Sequence, residues 1–277
     1  MKTHLLIADL SGKMVDTHAH VFHSGLNVLP TRRHPPDYDA TLDTYLALLD
    51  ANGFSHGVLV QPSFLGRDNS FLLASLERAQ GRCRGVVVLD PEHDVGQLKS
   101  MNDAGVVGIR LNLFGIDPPD LRAAAWQRLL EMVNVLDWHV EVHCPIEQLP
   151  SVANPLLARG CKIVVDHFGR PDFNMDFEPG KVQALLEYAA TGRVWVKLSA
   201  EYRIWPEQNN EQLKIMVGLF MQHFSSQRLM WGSDWPHTEH ETLTSYRASL
   251  NWLINSIENP DDVLQMLCDT PKSLFKF

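Results

Sequence analysis

Long apolar runs are missing from this chain of 277 residues. No stretch approaches the roughly 20 consecutive apolar residues that span a bilayer. The opening MKTHLLIADLSG has an apolar patch, but Asp9 breaks it too soon for a secretory h-region. Cysteine is scarce and scattered: Cys83, Cys144, Cys161 and Cys268 form no CxxC, so neither a zinc ribbon nor a disulfide scaffold is indicated. Basic charge is thin as well. Lys and Arg number 24 against 33 Asp and Glu, a formal charge of -9, and no basic run is longer than Arg32-Arg33. Nucleic acid, which binds to a basic footprint, is therefore not an expected partner. Hydrophobic residues at 45% and charged residues at 21% are ordinary globular usage and argue against disorder. The expectation is a soluble, cytoplasmic protein with no membrane partner; the sequence does not fix its oligomeric state.

What the chain does have is rhythm. Eight short β-rich runs recur along it: KMVDTH, GVLVQ, RGVVVLD, VVGIRLN, WHVEVHC, KIVVDH, RVWVKLS and RLMWGSD. Most are continuously apolar, as strands of a covered parallel sheet are. Amphipathic segments lie between them, including LDTYLALLDANG, FLLASLERAQG, VGQLKSMNDAG, KVQALLEYAATG and a long one from Glu211 to Phe224. Gly53, Gly81, Gly105, Gly160 and Gly192 each stand just before a strand, where a left-handed residue closes a helix. Eight strand-then-helix units in this length predict a (β/α)8 TIM barrel over residues 1–277, with no linker dividing it. A doubly wound sheet would want a glycine-rich turn after the first strand, and VDTHAHVF stands there instead. The proline-bearing stretch from Asn27 to Asp39 is read as a long loop after strand one, and the span from His23 to Asp39, with His34 and Tyr38, as shaping the pocket. Pro118 to Asp120 is read as the start of the helix after strand four.

In such a barrel the chemistry sits at the C-terminal ends of the strands. There the sequence places His18 and His20, Ser63, Arg110 and Asn112, His143, Asp166 and His167 with Arg170, Ser199 with Tyr202 and Arg203, and Asp234. Taken singly, each has an ordinary explanation. His18 and His20 could be two core or surface histidines, His143 a satisfied buried one, and Asp234 a helix cap. Arg170 could pair with Asp172, and Arg203 could be a loop charge. Their joint placement on one rim is what points to catalysis. His18 and His20, two apart on an extended strand, point the same way, as two ligands of one ion or two donors to one group would.

Together VDTHAHVF, DHFGRPD and WGSDWPH resemble the amidohydrolase superfamily, and within it the branch of 2-pyrone-4,6-dicarboxylate lactonase and sugar-acid lactonases. The resemblance covers nearly the whole chain and implies a hydrolase acting on a small carboxylated lactone. By that likeness Asp234 is the general base, and His18, His20 and His167 are its catalytic companions. Arg110, Arg170 and Arg203 would face substrate carboxylates, since a guanidinium forks onto them. Ser63, Tyr202 and His143 would add further substrate contacts.

The wider superfamily holds one or two divalent ions at these positions, and His18, His20, His143 and Asp234 could assemble a mononuclear zinc site. Members of the lactonase branch work without metal, so the expectation is that none is required, with one zinc ion as the alternative. Two other functions stay open on the same barrel. One is metal-dependent decarboxylation or lactone isomerisation of an aromatic or sugar acid; the other is non-catalytic binding of an acid.

Overall fold

Each of the eight apolar runs forms a strand. They are β1 (Met14–Ala19), β2 (Phe54–Val60), β3 (Cys83–Val87), β4 (Val106–Asn112), β5 (His139–His143), β6 (Lys162–Val165), β7 (Val194–Lys197) and β8 (Leu229–Met230). Neighbours pair in parallel, in the order of the chain. The structure, a computed structural model, describes residues 10–29, 36–92, 95–172, 178–204 and 210–277. The opening residues, the Arg32-Arg33 pair and His34 lie outside them.

The ring closes without a regular ladder between β8 and β1. The Thr17 amide donates to the Trp231 carbonyl at 3.2 Å, Asp234 N–H to His18 O at 2.9 Å, and His20 N–H to Trp235 O at 2.8 Å. Eight parallel strands closed in this way are a (β/α)8 barrel, which excludes the open doubly wound sheet. Because β8 itself is only Leu229–Met230, Asp234 stands beyond the strand, on irregular backbone held by those bonds.

Helices cover the outside. After β1 comes α1 (Leu42–Asn52), which starts at Thr41, whose hydroxyl accepts the Thr44 N–H at 3.2 Å, and ends at Gly53 with φ of 79°. The other four strand-preceding glycines also have positive φ. Next come α2 (Ser70–Arg78), α3 (Val95–Asp103), α4 (Ala124–Val135), α5 (Leu149–Ala158), α6 (Gln183–Glu187) and α7 (Asn210–Phe224). The Pro118 to Asp120 segment does not open α4. It precedes the helix as a turn, because the Asp120 carboxylate accepts the Arg122 N–H at 3.0 Å and so draws the backbone out of the helical path. After β8 the chain adds α8 (Tyr246–Ser256), α9 (Pro260–Leu264) and α10 (Thr270–Phe275). No helix among the described residues is long and apolar enough to cross a membrane.

The core has two parts. Leu49, Leu130, Leu156, Phe220 and Leu253 fill the space between helices and sheet. Inside the ring, Val58, Val60, Val86, Val107, Val164 and Met230 pack with Phe275 of α10. Burying each such side chain contributes roughly 1.5–3 kcal/mol. Above that apolar floor the interior turns polar, and there the site begins.

Candidate active site

His18 and His20 stand at an irregularity of β1. Between Asp16 and Ala19 the register against β2 shifts, three residues of β1 matching two of β2, a β-bulge that re-aims the side chains. Asp16 anchors it. Its buried carboxylate accepts from Ser233 N at 2.8 Å, Ser233 Oγ at 2.7 Å, Tyr45 Oη at 3.0 Å and His18 N at 3.2 Å. Burial pushes the Asp16 carboxyl up, and those bonds pull against it. Gly232 completes the fit: a Cβ there would lie 2.5 Å from His18 Cβ and 2.8 Å from His18 N, so only glycine lets the two segments approach this closely.

Asp234 is the centre of the group. Its φ is 57°, and His167, Phe168, Arg170, Ala200 and His237 around it are also left-handed, strained backbone of the kind that collects at working sites. The two oxygens of its carboxylate face different ways. Oδ2 accepts from Tyr202 Oη at 2.6 Å and Arg203 Nε at 2.8 Å. Oδ1 looks at three imidazoles: His20 Nε2 at 3.6 Å, His18 Nε2 at 3.7 Å and His167 Nε2 at 3.9 Å. Burial raises the Asp234 carboxyl, but the Arg203 guanidinium beside it outweighs that and holds it well below the usual carboxylate range. It is an ionised carboxylate with one oxygen restrained and one turned to the histidines. Burial likewise keeps His143 and His167 neutral.

Beneath them lies a cluster of which the sequence pointed to Asp166 and Arg110 but not to Lys197 and Glu141. Lys197 of β7, Glu141 of β5 and Asp166 after β6 are all fully buried. The Lys197 ammonium contacts the Glu141 carboxylate closely, Asp166 Oδ1 at 3.4 Å and His18 Nδ1 at 3.1 Å. Arg110 NH2 joins from β4, 3.3 Å from Asp166 Oδ2. The signal was present: a lysine and a glutamate in the middle of the apolar runs RVWVKLS and WHVEVHC have no solvent to face and must be paired.

A cavity of about 250 Å³ opens above Asp234. Of the residues singled out from the sequence, His20, Ser63, Arg110, Asn112, His143, His167, Arg170, Arg203 and Asp234 line it. His18 lies fully buried just below. Tyr202 does not line the cavity; its hydroxyl is spent on Asp234. Arg110 and Arg203 are partly committed too, Arg110 to Asp166 and the Gln61 carbonyl and Arg203 to Asp234 and the Thr238 carbonyl. Arg170 donates to the Arg203 carbonyl at 3.2 Å and lies over the Phe114 ring at 4.7 Å. Thr238, Glu239 and His240 also line the cavity and were not anticipated. A larger cleft of about 810 Å³ adjoins it, sharing Ser63, Asn112 and Phe114, but holds no comparable histidine–carboxylate group.

The donor atoms suit a single divalent ion. His18 Nε2, His20 Nε2 and Asp234 Oδ1 are separated by 3.2, 3.6 and 3.7 Å. Ligands bound at about 2 Å to one zinc ion are spaced like this. His18, Asp166 and His167 form a second close group, and His143 belongs to neither. It bonds Asn112 Oδ1 at 3.1 Å and stacks on Phe114.

Comparison with known proteins matches residues 15–277 to the family described as Amidohydrolase. A solved structure from Pseudomonas putida, a candidate 2-pyrone-4,6-dicarboxylic acid hydrolase, is 43% identical, with a TM-score of 0.88 over 95% of this chain and 97% of that one. A candidate hydrolase of the same acid from Acinetobacter baumannii, with citric acid bound, is 34% identical, with a TM-score of 0.91 over 96% of this chain and 100% of that one. The 4-sulfomuconolactone hydrolase of Hydrogenophaga intermedia is 28% identical over 269 residues, 94% of this chain and 88% of that one.

Proposed function

The chain belongs to the amidohydrolase family, and from that premise we propose that it is a hydrolase opening a small carboxylated lactone by attack of water, with Asp234 as general base. The observation that carries this is the divided carboxylate. Arg203 and Tyr202 hold Oδ2, while Oδ1 faces the cavity histidines. The relatives similar to this chain act on, or are candidates to act on, pyrone and muconolactone acids of this class.

A lactone carbonyl seated over the histidines would receive a water whose proton passes to Asp234 Oδ1 as the C–O bond forms. Negative charge then builds on the former carbonyl oxygen, where imidazole N–H groups can meet it. As the intermediate collapses, the ring C–O bond breaks, and Asp234 returns its proton to the departing oxygen. The product is the ring-opened acid. Arg170, with the parts of Arg110 and Arg203 not committed to internal carboxylates, would bind substrate carboxylates. A divalent ion, if held by His18, His20 and Asp234, would polarise that carbonyl and acidify the water. The ionised Asp234 and the nearby imidazoles support hydrolysis with no such ion required.

The test is acid release, followed with a pH indicator, from pyrone-dicarboxylate, muconolactone and sugar-acid lactones, using metal-stripped protein with and without added zinc. Turnover of a carboxylated lactone is expected. Carbon dioxide release from an aromatic or sugar acid would replace this reading with decarboxylation, and silence towards every compound would leave an acid-binding barrel.

A further inference from the structure

The buried Lys197 has no part in binding substrate, yet it touches a histidine that faces the reacting centre. Its ammonium donates to Glu141 and to His18 Nδ1 at 3.1 Å, and lies 3.4 Å from Asp166 Oδ1. Asp166 Oδ1 and Glu141 Oε1 also lie near His18 Nδ1, at 3.3 and 3.5 Å, but neither oxygen makes a hydrogen bond there. An ammonium can only donate, so in the contact between Lys197 Nζ and His18 Nδ1 the hydrogen belongs to the lysine, and Nδ1 is the bare nitrogen of the ring.

The other side of the ring agrees. His20 Nδ1 lies 2.8 Å from the Val60 carbonyl, which can only accept, so that nitrogen carries a proton. His20 Nε2 stands 3.2 Å from His18 Nε2. With His18 Nδ1 bare, the hydrogen between the two rings comes from His18 Nε2.

We infer that Lys197 is a positioning residue for the lactone chemistry proposed above: by donating to His18 Nδ1 it fixes the proton of that ring on Nε2, turned towards His20 and Asp234. His18 is thereby held as a donor, ready to turn its N–H from His20 to an oxyanion. A metal ion entering between His18, His20 and Asp234 would first have to displace that proton.

The proton is located by two-dimensional NMR of ¹⁵N-histidine-labelled protein, with the His18 signals assigned by their loss in His18→Gln. The resting enzyme is expected to show a protonated Nε2 and a bare Nδ1. In Lys197→Met combined with Glu141→Gln, which removes the charge together with its partner, the proton is expected to move to Nδ1 beside Asp166. There kcat should fall about 10²-fold, the loss typical of one oxyanion donor, with KM nearly unchanged. A proton on Nδ1 in the wild type overturns the inference, and that single spectrum decides even if the double variant fails to fold. A folded double variant with the proton still on Nε2 overturns it as well. Because the resting tautomer is read without substrate, it stands or falls separately from the choice of lactone.

Discussion

Arg203 Nε lies 2.8 Å from Asp234 Oδ2, and the pairing leaves the carboxylate with one fixed and one free oxygen. The sequence suggested Arg203 as a substrate contact, and it does line the cavity. Its nearest charged partner is nevertheless Asp234, the proposed base. This arrangement makes Asp234 ionised over a wide range of pH while restricting where its free oxygen can point.

The first prediction concerns that pair. Arg203→Met removes the positive neighbour, so the Asp234 carboxyl should rise and the base form should be lost at higher pH. The acid limb of the kcat/KM profile is expected to move up by about 1–2 pH units. An acid limb that stays in place would mean that Arg203 does not tune Asp234.

Stability should depend on pH through Glu201, whose carboxyl burial raises to about 7 from the ordinary 4.5. Between those values the unfolded chain has already released the proton that the folded one keeps, so stability falls as pH rises and levels off above about 7. Glu201→Gln keeps an acceptor for Ser249 Oγ and cannot ionise. It should be more stable than wild type by about 2–3 kcal/mol at pH 8 and nearly equal at pH 4, read by urea unfolding. A difference that is constant with pH would contradict the assignment.

Gly232→Ala tests the close approach of β1. The added methyl meets His18 backbone rather than a flexible tip, so His18 must shift. The expected cost is about 1–3 kcal/mol in stability, together with a loss of kcat larger than any change in KM. Unaltered kcat would show that the position of His18 is not critical.

Arg170 lines the cavity and is proposed to meet substrate charge. Arg170→Ala should raise KM for a dicarboxylated lactone about tenfold or more, while barely affecting an uncharged lactone. Equal effects on both would indicate a role in shaping the cavity around Phe114 instead.

Much of this was legible in the sequence because a parallel barrel writes itself locally. Apolar strands, helix-closing glycines and polar residues just past the strands all lie within short stretches, and VDTHAHVF, DHFGRPD and WGSDWPH mark the rim. What the sequence could not convey was orientation. Tyr202 follows strand seven as a substrate contact would, yet a left-handed turn at Ala200 precedes it, and its hydroxyl meets Asp234 rather than the cavity. His143 has the right strand for a metal ligand but is engaged by Asn112. Lys197 and Glu141 lie within apolar runs, where their pairing across the barrel depends on strands that the sequence separates by 56 positions.

The central claim, water attack with Asp234 as base, is tested most directly by a single turnover in ¹⁸O-water with enzyme in excess over a carboxylated lactone. If Asp234 only accepts a proton, the first product carries one ¹⁸O in its new carboxylate and the protein carries none. Unlabelled first product, with ¹⁸O appearing instead in the Asp234 side chain, would contradict the account and make that residue a nucleophile.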